Sequence, residues 1–176
     1  MKFDPSFTYG NVIAHVIPGS LVACYLVLQC DWLRVVLGRL AASAVGQVFA
    51  GATAILFVGL VIDGLRSTLV DRVAMALTRT SRPEDLFSDL GGDKLGVLQY
   101  IMESYWRHYQ FYANCSVGCL IIAALSIATR GGCRGLLPAG IAYDAGPFFL
   151  LLGVAMFLMA AAALKRTIRN LMEFKS

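Results

Sequence analysis

Residues 94–130 read KLGVLQYIMESYWRHYQFYANCSVGCLIIAALSIATR, and their character changes half-way. The first half mixes charged and apolar groups at helical spacing. The second half carries no charged residue between His108 and Arg130. A gap of about 20 residues is what a helix needs to cross ~30 Å of hydrocarbon. No proline interrupts the run, so one helix is expected to stand partly in water and partly in lipid. Tyr105, Trp106, Tyr109, Phe111 and Tyr112 lie at the junction. Such amphipathic rings gather at membrane interfaces, which sets the expected boundary near residues 105 to 112.

The rest of the chain repeats the pattern. Hydrophobic residues make up 58% of it and charged residues 15%, against about 25% charged in ordinary soluble domains. Acidic, Lys and Arg residues are absent from 5–30, 40–62, 109–129 and 145–164. Each run is long enough to span a bilayer, and what remains is too short and scattered for a separate core. The expected fold is all-α: a single integral membrane domain over 1–176, a four-helix bundle with spans at about 11–29, 40–62, 109–129 and 146–164. Leu65, Leu69, Val73 and Leu77 continue an apolar helical stripe beyond Asp63. Helices two and three are therefore expected to extend out of the lipid as a cytoplasmic hairpin over about 63–108.

The basic residues orient this bundle. With the N-terminus inside, Lys2, Arg66, Arg72, Arg79, Arg82, Lys94, Arg107, Lys165, Arg166, Arg169 and Lys175 fall on the cytoplasmic side, against Arg34, Arg39, Arg130 and Arg134 outside. That bias predicts both termini in the cytoplasm. The net charge of +4 then reflects residues facing anionic lipid, and no nucleic-acid partner is needed to explain it. Leu21-Val22-Ala23-Cys24 has the form of a lipoprotein cleavage box. The apolar run continues past it, however, and the basic region before it is weak, so an uncleaved first span is expected. Pro18 within that span removes a backbone donor and predicts a kink or break near residue 17, with the freed carbonyl finding a partner on a neighbouring helix or in water.

Three sets of residues are candidates for a role. Ala42, Gly46, Ala50 and Ala54 recur every fourth residue and make a face of low bulk, suited to close helix packing within the subunit or between subunits. Glu103, Arg107, Gln110 and Asn114 form a stripe that passes from charged to polar as helix three enters the membrane. Asn114 there is either a hydrogen-bonding lock to a neighbour or part of a polar lining. Asp63 is expected to pair with Arg66 or Arg107, or to mark a conduction path. Cys30 and Cys133 both fall on the outer side and are candidates for a disulfide in an oxidising compartment. Cys115 and Cys119 read as small apolar packers.

Catalytic signatures are missing. Two distant histidines, His15 and His108, do not make a metal site, and there is no nucleophile elbow, HExxH or phosphate-binding loop. Asp63-Gly64-Leu65-Arg66 with Asp71 is faintly similar to the acidic motif of CDP-alcohol phosphotransferases but lacks the second aspartate pair. Neither an enzyme nor a cofactor is expected. The opening from Tyr9 to Ile17-Pro18-Gly19, and Tyr105-Trp106-Arg107-His108-Tyr109-Gln110-Phe111-Tyr112-Ala113-Asn114, resemble small bacterial inner-membrane proteins, some of phage-defence or toxin-immunity modules. The resemblance implies a multi-pass inner-membrane protein. The leading expectation is a subunit that forms a homo-oligomer and acts as membrane sensor or effector, with membrane lipids around it and a soluble cytoplasmic protein on its hairpin. A small channel or transporter, and an immunity protein against a membrane-acting toxin, are the alternatives.

Overall fold

The computed structural model describes residues 5–29, 31–40, 43–78, 106–128 and 145–175. Every regular element among them is helical. They are α1 (Pro5–Gln29), α2 (Asp31–Leu40), α3 (Ala44–Leu65), a π-turn (Arg66–Val70), α4 (Asp71–Thr78), α5 (Arg107–Ala128) and α6 (Ala145–Lys175). Four helical stretches are long and apolar enough to cross a membrane: Val12–Gln29, Val45–Leu77, Arg107–Ile127 and Gly146–Asn170. The second runs through the π-turn and α4 without a break. It is about 50 Å long at the helical rise, well beyond the ~30 Å of a hydrocarbon core.

Local chemistry explains most of the boundaries. Pro5 opens α1, and Pro147 sits in the first turn of α6, where a missing N–H costs nothing because those donors have no intrahelical acceptor. Ser43 caps α3 by accepting the Gly46 N–H at 3.1 Å, the usual role of a hydroxyl at this position. The second span thus begins at Ala44, four residues later than the charge-free run suggested, and the preceding CDWLRVVLGR segment is largely a helix of its own, α2. α1 passes through Pro18 as one continuous helix, so the expected break is not there.

The bundle is built around the α5–α6 pair, with α1 packed between α5 and α3. Tyr109, Ala113, Val117 and Ile122 of α5 meet Ala160, Leu164 and Ile168 of α6, Val22 of α1 and Ile62 of α3 in one buried cluster. Val70 and Ala74 join it, because α4 leans back onto α6. The α1–α3 crossing is a close one. A Cβ on Gly19 would run into the carbonyl oxygen of Ile55, and one on Gly59 into that of His15. Only hydrogen at these two positions lets the backbones approach so near, the small-residue packing typical of helices in lipid. Val45, Val48, Phe49, Phe57 and Leu60 on the far side of α3 are exposed. In water that would be a liability; facing acyl chains it costs nothing.

Candidate functional site: a polar cluster joining three helices

The cluster begins with a vacancy in the hydrogen bonding of α1. Pro18 has no N–H to offer the Ala14 carbonyl one turn before it, and an orphaned carbonyl in an apolar bundle is costly. Asn114 of α5 fills the need. Its Nδ2 donates to the Ala14 oxygen at 3.0 Å and also lies 3.3 Å from Asp63 Oδ1 of α3. The side chain is fully buried, so this amide joins three helices from the interior. Its Oδ1 is buried with no hydrogen-bond partner among the described residues.

From Asp63 the network climbs α3. Arg66 Nε donates to Asp63 Oδ1 at 3.0 Å, and Arg66 Nη1 reaches Asp71 Oδ2 at 3.2 Å. His15 Nε2 of α1 stands 3.6 Å from Asp63 Oδ1. Arg66 is 5% exposed, so its charge depends on the two carboxylates that flank it. Tyr109 of α5 closes the chain, donating its hydroxyl to Asp71 Oδ1, while the Arg66 guanidinium carbon lies 6.0 Å from the centre of its ring, at the edge of cation–π range.

The π-turn is what permits the Arg66–Asp71 contact. In a regular α-helix residues five apart are about 140° apart around the axis and do not face each other. Here the Asp71 N–H bonds to the Arg66 carbonyl, an i→i+5 closure that widens the turn and lays Asp71 over Arg66. The hydroxyl of Thr68 donates to the Gly64 and Leu65 carbonyls and that of Ser67 to Gly64, occupying acceptors at the irregular turn. Such turns inside longer helices are frequent at functional sites.

The structure brings together Asp63 and Asn114 from the residues singled out in the sequence, and pairs Asp63 with Arg66. Arg107 and Gln110 lie half-buried on α5, on the approach to Asn114. Glu103, Ala42, Cys30 and Cys133 lie outside the described residues, so the top of the stripe, one end of the small-residue face and the disulfide do too. Gly46, Ala50 and Ala54 are half-buried; the tight contact of α3 falls further along, at Gly59. Cys115 and Cys119 are buried, with Cys119 against Gly153 of α6.

Two members of the cluster were not anticipated. Tyr109 reads in the sequence as one more interfacial aromatic, yet it is 1% exposed and anchors Asp71. Asp71 reads as a solvated charge between apolar positions. The Ala14 carbonyl, by contrast, was expected from Pro18 to need a partner on a neighbouring helix or in water, and Asn114 is that partner. Among the described residues no group of three His, Cys, Asp or Glu could hold a metal ion. No protein-family model, curated protein or solved structure matches the chain.

Chemically the cluster is a chain of charge-assisted hydrogen bonds, with one cation held between two carboxylates and a phenol and an amide at the ends. It can fix the relative height and rotation of α1, α3, α4 and α5. It also presents Asp63 and His15 partly to the outside, with side-chain exposures of 29% and 21%.

Proposed function

We propose that this chain is a non-enzymatic, multi-pass subunit of a bacterial inner membrane that assembles with further copies of itself and acts as a sensor or effector. In this reading a cytoplasmic hairpin over about 63–108, of which 79–105 lie outside the described residues, docks a soluble protein. The resemblance noted above favours anti-phage defence as its setting. The observation that carries the reading is the attachment of α4 to the bundle. α4 is fastened through Asp71 to Tyr109 of α5 and to Arg66, and Arg66 continues to Asp63 and Asn114. A partner pulling on the hairpin therefore acts on α1, α3 and α5 together.

The distribution of polar groups supports a coupling element over a conduit. A pore needs polar lining along its length, whereas among the described residues this network reaches no further than Asn114. Two residues further on, the buried Ser116 hydroxyl is satisfied by the Gly153 carbonyl at 2.8 Å, a bond that locks α5 to α6. The exposed apolar face of α3 and the half-buried Gly46, Ala50 and Ala54 beside it give a second copy a surface to meet in lipid.

The test is purification of the full chain from its own membranes in mild detergent, with the mass of the complex measured and co-purifying proteins identified. A homo-oligomer, with or without a stoichiometric soluble partner that Asp71→Asn releases, is expected. A bare monomer that gains no partner contradicts the proposal. Single-channel conductance from the isolated protein would favour the transport alternative instead.

A further inference from the structure

Away from the polar cluster, an open-sided groove runs between α4 and α6. It is lined by Leu69, Val70 and Val73 from the π-turn and α4, Leu120 from α5, and Val154 and Phe157 from α6, and has a volume of about 300 Å³. That is the lower end of ligand-sized sites. Leu69, Val73 and Val154 on its rim are 61%, 50% and 47% exposed. An apolar trough alone says only that something apolar covers it.

The charges on the two helices that form it say more. Arg72 stands between Asp71 and Val73 on α4 and is exposed, and Lys165 is exposed on α6. Lys165 comes roughly three turns after Val154, which returns it to the same helix face. From Phe157 to Lys165 the helix rises about 12 Å, a span that a glycerol backbone and a snorkelling lysine can bridge between them. Arg166 and Arg169 add to the field, and α6 carries no carboxylate before Glu173. Asp71, the carboxylate nearest on α4, is held by Arg66 and Tyr109.

From this arrangement we propose that the groove between α4 and α6 binds one anionic phospholipid, its acyl chain along Val73, Val154 and Phe157 and its phosphate at Arg72 and Lys165. Basic pockets between membrane helices on the cytoplasmic side take such headgroups. A second copy of this chain is the poorer occupant, because it would bring the same basic belt against Arg72 and Lys165. The inference rests on the chain being a membrane protein, though not on its being a sensor.

Native mass spectrometry of the full chain in mild detergent tests it, with phosphatidylglycerol and phosphatidylcholine of identical acyl chains titrated separately. Retention of one phosphatidylglycerol, preferred on the order of ten-fold, is expected from two cations near the phosphate. The double variant Arg72→Gln, Lys165→Gln loses the preference, while Arg39→Gln on α2 keeps it. Val154→Trp, which fills the groove, loses both lipids while remaining monodisperse. Equal binding of the two lipids, a preference that survives the double variant, or a dimer that Val154→Trp abolishes overturns the assignment. Extraction of the protein from membranes by alkaline carbonate, without detergent, would overturn the membrane reading along with it.

Discussion

Replacing Asn114 by Leu should cost about 2 kcal/mol, and about half of that should vanish when Pro18 is replaced by Ala. The substitution removes the Nδ2 donor from the Ala14 carbonyl at 3.0 Å and from Asp63 at 3.3 Å. Interhelical hydrogen bonds in membrane proteins are worth roughly 0.6 kcal/mol on average and up to about 1.7. Leaving a buried carbonyl without a donor adds about 1 kcal/mol or more. In the Pro18→Ala background residue 18 regains its N–H, and the Ala14 carbonyl can close an ordinary helical bond. Asn114→Leu then loses only the Asp63 contact, at roughly 1 kcal/mol or less. The two substitutions should therefore couple by about 1 kcal/mol in a double-mutant cycle. The assay is reversible unfolding in mixed detergent micelles, followed by helical circular dichroism for the parent, both single variants and the double. If Asn114→Leu costs the same with and without Pro18, the Ala14 carbonyl is not what Asn114 serves, and the reasoning fails.

Other parts of the bundle make sharper contrasts. Gly51→Ala meets nothing within 4 Å and should gain roughly 0.5–1 kcal/mol from helix propensity, whereas Gly59→Ala on the same helix collides with the His15 backbone and should lose about 1–3 kcal/mol; thermal stability in detergent ranks them, and equal midpoints would contradict the crossing. Tyr109→Phe removes the hydrogen bond to the Asp71 carboxylate, a loss of about 1.5–3 kcal/mol. Its effect should show first as faster amide hydrogen exchange in α4, and an exchange pattern identical to the parent's would argue against that anchor. Arg66→Gln leaves Asp63 and Asp71 without their shared cation and should cost about 2–4 kcal/mol, more than Arg72→Gln on the exposed face of the same helix. The comparison of their unfolding midpoints checks it.

Much of the architecture was legible because lipid simplifies the code. A span must be long and uncharged, so the four apolar stretches appear in composition alone, and the uninterrupted continuation of the second into α4 was visible in the spacing of Leu65, Leu69, Val73 and Leu77. A lock at Asn114 and a pairing of Asp63 with Arg66 were among the alternatives that the residues left open. What periodicity could not supply was the angular slip of the π-turn. A regular helix keeps Asp71 away from Arg66, so a reading at 3.6 residues per turn assigns Asp71 to solvent. Tyr109 was misplaced for a related reason, since an aromatic near a boundary suits an interfacial belt and a buried anchor equally. Pro18 predicted both a kink or break and a carbonyl in need of a partner; the helix runs on unbroken, and the partner is Asn114 of a neighbouring helix, a residue that the proline's position could not name. The tight crossing was sought along Ala42, Gly46, Ala50 and Ala54, while glycines at 19 and 59 made it. Alanine still carries a Cβ, and at this distance even that is too much.

The account depends on the polar cluster standing at the cytoplasmic face, with α4 emerging there. Labelling with a membrane-impermeant maleimide tests this most directly, using variants in which the five native cysteines are replaced by alanine and one new cysteine is introduced. Arg72→Cys on α4 should label in inside-out vesicles and stay protected in right-side-out ones, and Gly38→Cys, exposed on α2, should show the reverse. Labelling of both from the same side would contradict the four-span arrangement, and labelling of Arg72→Cys only from outside would invert the bundle and remove the cytoplasmic hairpin on which the proposed coupling rests.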